Sequence, residues 1–132
     1  MSDYNLLGAS PAPMIAVAAI SINTFVKLEA TTDRGVTTST GGSDLLTCGV
    51  AMESQATIGG PVAVQTMGIA KVKTGNSITR GAQVTSDGTG RAVTVATGNV
   101  ALGVCLNTVG AANEVAEILL SPLPNLSGPT TP

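Results

Sequence analysis

The side chains of this sequence that could do chemistry are few, and none stands in a catalytic arrangement. The sequence contains no histidine, so the commonest general base and metal ligand is absent. Cys48 and Cys105 therefore lack a histidine partner for nucleophilic work, and they are too few for a zinc site. Glu114 and Glu117 are the only close acidic pair, and three residues apart on a strand they point to opposite faces. We predict that the protein is not an enzyme and has no catalytic residue, cofactor or metal ion.

Two glycine-rich stretches could be mistaken for phosphate-binding loops. Neither Gly59-Gly60 nor Gly88-Thr89-Gly90 is followed by Lys-Ser/Thr or by a helical pattern, so both are predicted to be turns. Asp87-Gly88 stands between two alternating runs, which is a strong hairpin signal. We expect a β-hairpin centred on this pair.

The two cysteines do not make a disulfide framework. For a chain made in a reducing cytosol, the favoured interpretation is two free, buried thiols. A single disulfide between Cys48 and Cys105 is also compatible with the sequence, which does not determine the distance between them.

Charge and aromatic content disfavour nucleic acid and membrane as partners. Six basic side chains are scattered against eight acidic ones, and Tyr4 and Phe25 are the only aromatic residues. The chain thus lacks both a basic stripe to follow phosphates and a platform on which bases stack. No apolar run reaches the roughly 20 residues needed to cross a bilayer. Residues 14–20 lack a preceding basic region, so we expect no signal peptide.

Thr, Val and Ile predict an all-β fold. The sequence has 18 Thr, 14 Val and 7 Ile, whose β-branched side chains suit a pleated strand better than a helix. The 16 Gly and 7 Pro provide turns, and short strands between turns are typical of a small sandwich or barrel of antiparallel strands. The predicted strands are residues 14–20, 24–30, 45–51, 62–67, 69–73, 82–86, 91–95, 101–106 and 115–120, with a loop or weak hairpin at 31–43.

Parts of the sequence resemble each other at a spacing of about 55 residues. Residues 49–52, GVAM, match residues 103–106, GVCL, and each is followed by a small-residue loop and an apolar strand. Upstream, residues 21–28 resemble residues 77–84. We predict that the body is built from two similar β units. These pseudo-repeats are residues 21–67 and 77–121.

The repeat decides how residues 111–120 are interpreted. Their Ala, Glu and Leu content could also form a short helix. In the first copy, however, the matching segment begins with Pro61, which suits a strand start and not a helix interior. We therefore predict a strand at 115–120 and a single β domain over residues 14–121.

Extended arms flank the predicted domain. Residues 1–13 carry Pro11 and Pro13, which favour extended backbone, and residues 122–132 form a Pro-rich tail. The N-terminal arm either folds back on its own domain or reaches across to a neighbouring subunit. The arms contain apolar side chains that a solvated tail would not need. The predicted partner-binding residues are Tyr4, Leu6, Leu7, Leu123 and Leu126.

The order of glycines and strands resembles that of the small capsid decoration, or cement, proteins of tailed bacteriophages. The resemblance covers about residues 14–121 and includes no catalytic signature. The segments that carry it are GVA at 49–51, VAV at 62–64, GIAKV at 68–72, ITRGAQVTSDGTG at 78–90, LGV at 102–104 and VAEILL at 115–120.

This resemblance implies a compact β fold that assembles, often as a homotrimer, on the outside of an icosahedral shell. Such a protein would be made in the host cytoplasm, bind the major capsid protein on the outer surface of the virion, and stabilise the capsid by bridging neighbouring subunits. No small-molecule substrate is implied. The alternative is a ligand- or receptor-binding β module on a virion surface. Sites of that kind usually present Trp or Tyr platforms, whereas this chain has no Trp and one Tyr.

Overall fold

The computed structural model describes residues 13–43 and 46–120, which form eleven β-strands and no helix. The strands make two sheets, so the predicted all-β class is confirmed. None of these residues belongs to a helix able to span a membrane. In chain order the strands are β1 (Met14–Ala16), β2 (Phe25–Leu28), β3 (Gly35–Thr38), β4 (Thr47–Ala51), β5 (Pro61–Val62), β6 (Val64–Gln65), β7 (Gly68–Lys73), β8 (Gln83–Ser86), β9 (Ala92–Thr94), β10 (Gly103–Cys105) and β11 (Val115–Leu120).

The first sheet, in the order β5-β1-β3-β2-β4-β6, curls into a nearly closed barrel. Its two edge strands, β5 and β6, are separated by a single residue, Ala63. Val62 pairs with Met14 of β1, and Val64 pairs with Ala51 of β4. Because consecutive Cα atoms lie only about 3.8 Å apart, the two edges of the sheet must meet at Ala63.

The barrel explains three differences from the predicted strands. Residues 62–67, predicted as one strand, contain parts of both β5 and β6, which pair with different neighbours. The loop or weak hairpin at 31–43 contains β3, which forms an antiparallel hairpin with β2. The third difference concerns direction, because β3 pairs with β1 in parallel. The prediction of antiparallel strands is thus wrong for β1 and β3, since β3 inserts between β1 and β2 after the chain has reversed twice.

In the second sheet, ordered β7-β11-β10-β8-β9, every neighbouring pair is antiparallel. β11 pairs with β7 along its whole length, from Val115 opposite Lys73 to Leu120 opposite Gly68. This confirms the strand, and not the helix, at residues 115–120. The predicted hairpin around Asp87-Gly88 is also present, joining β8 to β9.

β2 and β4 contribute to the cores of both layers. Phe25 and Val50 are buried against the second sheet, whereas Val26 and Ala51 are buried inside the barrel. Adjacent residues of a strand point to opposite faces, so two consecutive buried residues mark a strand that is covered on both sides. The two sheets therefore pack into one body through β2 and β4.

The two sheets contain the same arrangement of four strands, and the two copies of one unit stay a prediction. β3-β2-β4-β6 of the barrel and β9-β8-β10-β11 of the second sheet follow the same antiparallel arrangement. Val26 lies opposite Gly49, and Val84 lies opposite Gly103. The sequence comparison instead aligns Val26 with Ala82, two residues away. The strand pairing therefore makes Val84 the counterpart of Val26, whereas sequence similarity makes Ala82 its counterpart.

Candidate interaction surface

The acidic and metal-ligating side chains of the described residues are dispersed. Within residues 13–43 and 46–120, no group of three or more His, Cys, Asp or Glu side chains could hold a metal ion. Glu117 is exposed on β11 and lies opposite Lys71 of β7. Glu114 precedes that strand, and its main-chain N–H donates to the hydroxyl of Thr74 at 3.1 Å. The two glutamates therefore take part in separate local structures.

Both cysteines are free thiols, as the favoured interpretation of the sequence predicts, but only Cys105 is fully buried and Cys48 is half-buried. Cys48 lies in β4, where burial raises the pKa of its thiol to about 11. Cys105 is fully buried in β10 and donates its S–H to the carbonyl of Asn107 at 2.9 Å. Reactive cysteines have lowered pKa values and solvent access. The surroundings of Cys48 and Cys105 therefore indicate that these side chains contribute to packing and are not reactive thiols.

The turn between β8 and β9 connects the two sheets. The carboxylate of Asp87 accepts hydrogen bonds from the N–H groups of Thr89 and Arg91 and pairs with the Arg91 guanidinium at 2.9 Å. Burial raises the pKa of Asp87, but these hydrogen bonds and the charge of Arg91 outweigh burial and lower it. The carbonyl of Gly90 accepts from the N–H of Phe25 in the barrel at 2.8 Å. The glycine-rich stretch is thus a structural turn.

The strand pair β7 and β11 carries apolar side chains on both of its faces. One face is buried in the core, and its members are Ala70, Val72, Ala116, Ile118 and Leu120. On the other, Ile69 lies opposite Leu119, and these side chains are 57% and 47% exposed. We call this surface the outer face. It consists of Ile69, Lys71, Lys73, Val115, Glu117 and Leu119.

A groove of about 250 Å³ runs between the outer face and the barrel. Its walls include Met52 after β4, Gln65 of β6, and Ile69 and Lys71 of β7. Two hydrogen bonds connect its sides, because the N–H of Lys73 donates to the carbonyl of Asn23 at 2.7 Å and Gln65 Nε2 donates to the carbonyl of Ile69 at 2.9 Å. Met52 is 54% exposed, so the groove opens at an apolar rim.

The two arms begin at opposite ends of one short segment beside this groove. Met14, just after the N-terminal arm, pairs with Val62. Leu120, just before the C-terminal tail, pairs with Gly68. Residues 62–68 therefore connect the two points at which the arms leave the body. The predicted partner-binding residues Tyr4, Leu6, Leu7, Leu123 and Leu126 lie outside the described residues and stay predictions.

Sequence reasoning did not single out the exposed apolar residues of the outer face. The signal was present in residues 115–120, VAEILL, where apolar side chains occupy both alternating faces and Glu117 is the only polar residue. A strand with one solvated face normally alternates apolar and polar residues. Val115 and Leu119 depart from that pattern, and such departures mark a surface that a partner can cover.

Comparisons with known proteins place this surface in context. A family model described as a phage cement protein matches residues 11–120. The solved structure of the head fiber gp8.5 N base in bacteriophage phi29 has a similar fold, with a TM-score of 0.70 over 84% of this chain and 92% of that chain. The two sequences are 13% identical, so this likeness shows the fold alone. No curated protein sequence matches the chain significantly.

Proposed function

The chain belongs to the phage cement protein family, and we propose that it binds the outer surface of an icosahedral capsid and bridges neighbouring major capsid protein subunits. Family membership makes it a structural protein associated with the phage capsid. The observation that carries the finer proposal is the exposed apolar outer face, whose Leu119 adjoins Leu120, the last described residue before the tail.

The outer face can stabilise a complex by removing apolar surface from water. Fully burying a side chain of this size contributes about 1.5–3 kcal/mol. Ile69 and Leu119 are about half exposed, so each would contribute about 1 kcal/mol on contact. The cross-strand pair of Lys71 and Glu117 lies beside them and would help to orient the partner. Because a shell would carry many copies of the protein, these small free energies would sum to a large stabilisation of the whole shell.

The two arms extend this contact to more than one neighbour. Apolar side chains occur in both arms, so each arm can anchor on a different neighbouring subunit. The described residues next to the arms, Met14 and Leu120, pair with residues at the two ends of the segment 62–68. The anchors proposed here are Tyr4, Leu6 and Leu7 in the N-terminal arm and Leu123 and Leu126 in the tail.

We further propose that the protein acts as a homo-oligomer, with a homotrimer as the expected form. A chain of 132 residues buries only a moderate share of its surface, so a partner subunit adds considerable stability. Mass measurement in solution tests this expectation. A monomer at all accessible concentrations would count against it and would favour the alternative of a ligand-binding module.

The function is tested by adding the purified protein to shells that lack decoration. Saturable binding is expected, together with greater resistance of the shells to heat and to internal pressure. Absence of saturable binding, or binding with no gain in resistance, would contradict the proposal.

A matched pair of variants locates the contact. Leu119→Ser removes an apolar side chain of the outer face that does not line the groove, and it should weaken shell binding about fivefold, because about 1 kcal/mol corresponds to that factor. Ile58→Ser changes a 73% exposed side chain on the loop before β5 and should bind as the parent chain does. Equal effects of the two substitutions would exclude the outer face as the contact.

A further inference from the structure

We propose that the groove beside β7 receives the C-terminal segment, residues 121–132, of a neighbouring copy of the chain. This inference rests on the proposed self-assembly and names the contact that holds the copies together. It assigns Leu123 to contact between copies, whereas the N-terminal arm stays available to the capsid.

The first argument is that the edge of β7 is unpaired at Lys71, between the hydrogen bonds that Lys73 and Ile69 make across the groove. β7 is an edge strand of the second sheet, and the N–H of Lys73 points away from β11, toward Asn23. Alternate residues of a strand direct their main-chain groups to the same side, so Ile69 and Lys71 also face the groove. Among the described residues, none forms a hydrogen bond with the main chain of Lys71 on this side. An unpaired donor and acceptor on an edge strand attract another extended chain.

The second argument is the size and chemistry of the groove. Its volume of about 250 Å³ is below the roughly 300–1,000 Å³ of typical small-molecule sites. Met52 and Ile69 provide apolar walls beside the unpaired main-chain groups of Lys71. A groove of this kind suits one apolar side chain carried on an extended main chain.

The sequence of the tail matches these requirements. Pro122 and Pro124 restrict the backbones of Ser121 and Leu123 to extended conformations, which lowers the entropy lost on docking. In an extended segment, Leu123 and Asn125 direct their main-chain N–H groups to one side. The prolines fall on the other side and have no N–H to donate. The segment can therefore pair with β7 while its outer edge stays closed to further strands.

The direction of β11 indicates that the groove is filled by a neighbour and not by the same copy. β11 runs from Val115 toward Leu120, which lies opposite Gly68 at the start of β7. At Leu120 the direction of β11 therefore points away from Ile69 and Lys71 of its own groove. A return would need a sharp reversal at once, which the extended geometry before Pro122 and Pro124 opposes.

The resulting contact is head-to-tail, because each copy offers one groove and one tail. Contacts of this type close into a ring when the rotation between copies permits it. A ring of three copies is the closed form of the proposed homotrimer. Each groove would then be filled, and no edge of β7 would remain open.

Cysteine cross-linking between two differently tagged chains tests the inference. One full-length chain carries Ile69→Cys and the other carries Leu123→Cys, and the two are co-expressed and mildly oxidised. Both chains also carry Cys48→Ser, because Cys48 is only half-buried, whereas Cys105 is fully buried and does not compete. We expect a disulfide-linked dimer that contains one chain of each tag. Ile69 is exposed, so its replacement leaves the core intact.

The control replaces Ile69→Cys with Ile58→Cys, whose side chain is exposed but does not line the groove. It should give no mixed dimer with the Leu123→Cys chain. A chain carrying both Ile69→Cys and Leu123→Cys that forms only an internal bond would place the tail in its own groove and overturn the inference. Absence of any bond at these positions would overturn it as well.

Failure of the inference can be told apart from failure of the proposed function. If the full-length Leu123→Ser chain keeps the parental oligomer mass, the tail does not hold the copies together, although capsid binding can still be found. If the mixed disulfide forms but undecorated shells are not bound, the inference holds and the proposed function is wrong.

Discussion

Gly49 and Gly103 occupy corresponding positions in β4 and β10, where neighbouring strands approach closely. A Cβ added at Gly49 would lie under 3.0 Å from the backbone oxygen of Gln65, and one added at Gly103 would lie as close to that of Leu119. Both oxygens belong to paired strands, so neither can shift without disturbing the sheet. Close packing against the neighbouring strand therefore requires glycine at both positions.

We expect Gly103→Ala to lower the free energy of unfolding by about 1–3 kcal/mol, because the added methyl group overpacks the ladder between β10 and β11. Urea denaturation followed by circular dichroism measures the change. Gly110→Ala is the matched control, since a Cβ there meets no atom within 4 Å. Similar losses in both variants would show that the close approach at Gly103 is not the cause.

Neither native thiol should react quickly in the folded protein. With its pKa raised to about 11, Cys48 at pH 8 is thiolate in only about 0.1% of molecules, and Cys105 is shielded by burial. A chromogenic disulfide reagent should titrate two thiols promptly after unfolding in denaturant and almost none before. One rapid equivalent in the native protein would contradict the burial of these side chains.

At the scale of elements, the turn from Asp87 to Gly90 positions the second sheet against the barrel. The carboxylate of Asp87 accepts hydrogen bonds from main-chain N–H groups within the turn, and the carbonyl of Gly90 accepts one from the N–H of Phe25 in β2. Gly90 has a φ of 83°, and a Cβ there would lie within 3.0 Å of the carbonyl oxygen of Phe25. The hairpin is thus both a local turn and a contact between layers.

Acid should weaken the fold partly through this turn. The pKa of Asp87 is lowered in the folded state, so folding favours the ionised carboxylate. Its contribution is complete above the unfolded value of about 3.9 and is lost as the pH falls through the lower folded pKa.

We therefore expect the free energy of unfolding to fall below about pH 4. The fall should be smaller in Asp87→Asn, as measured by urea denaturation at a series of pH values. Asp33→Asn, on the exposed turn before β3, serves as the control and should keep the parental pH dependence. An unchanged pH profile in Asp87→Asn would show that this carboxylate does not stabilise the fold.

The elements that could be predicted from the sequence are those with local signals. The Asp87-Gly88 hairpin is set by two adjacent residues, and the strand at 115–120 follows from its likeness to an earlier segment. The division of residues 62–67 could not be predicted, because Val62 pairs with Met14 while Val64 pairs with Ala51. Both partners lie earlier in the chain, at very different sequence separations, and no local pattern reports them.

For the whole molecule, composition and the order of glycines were enough to predict an all-β phage cement protein. They were not enough to locate its surface. The groove forms only when Met52, Gln65 and Ile69 meet across two sheets, and residues that meet only in the folded structure leave no periodic signal. The sequence marks the arms by their prolines and apolar residues, and the role of these arms in binding a partner is a proposal.

The position of the chain ends also determines how the body would carry mechanical tension. If the N-terminal arm is anchored on an expanding shell and the tail on a neighbouring copy, the pull enters at Met14 and at Leu120. These residues pair with Val62 and Gly68, so the shortest route for the force crosses these two strand pairings and the short run of residues 62–68. Most of the barrel and of the second sheet lies outside that route. The pairings of β1 with β5 and of β11 with β7 would therefore bear the load first.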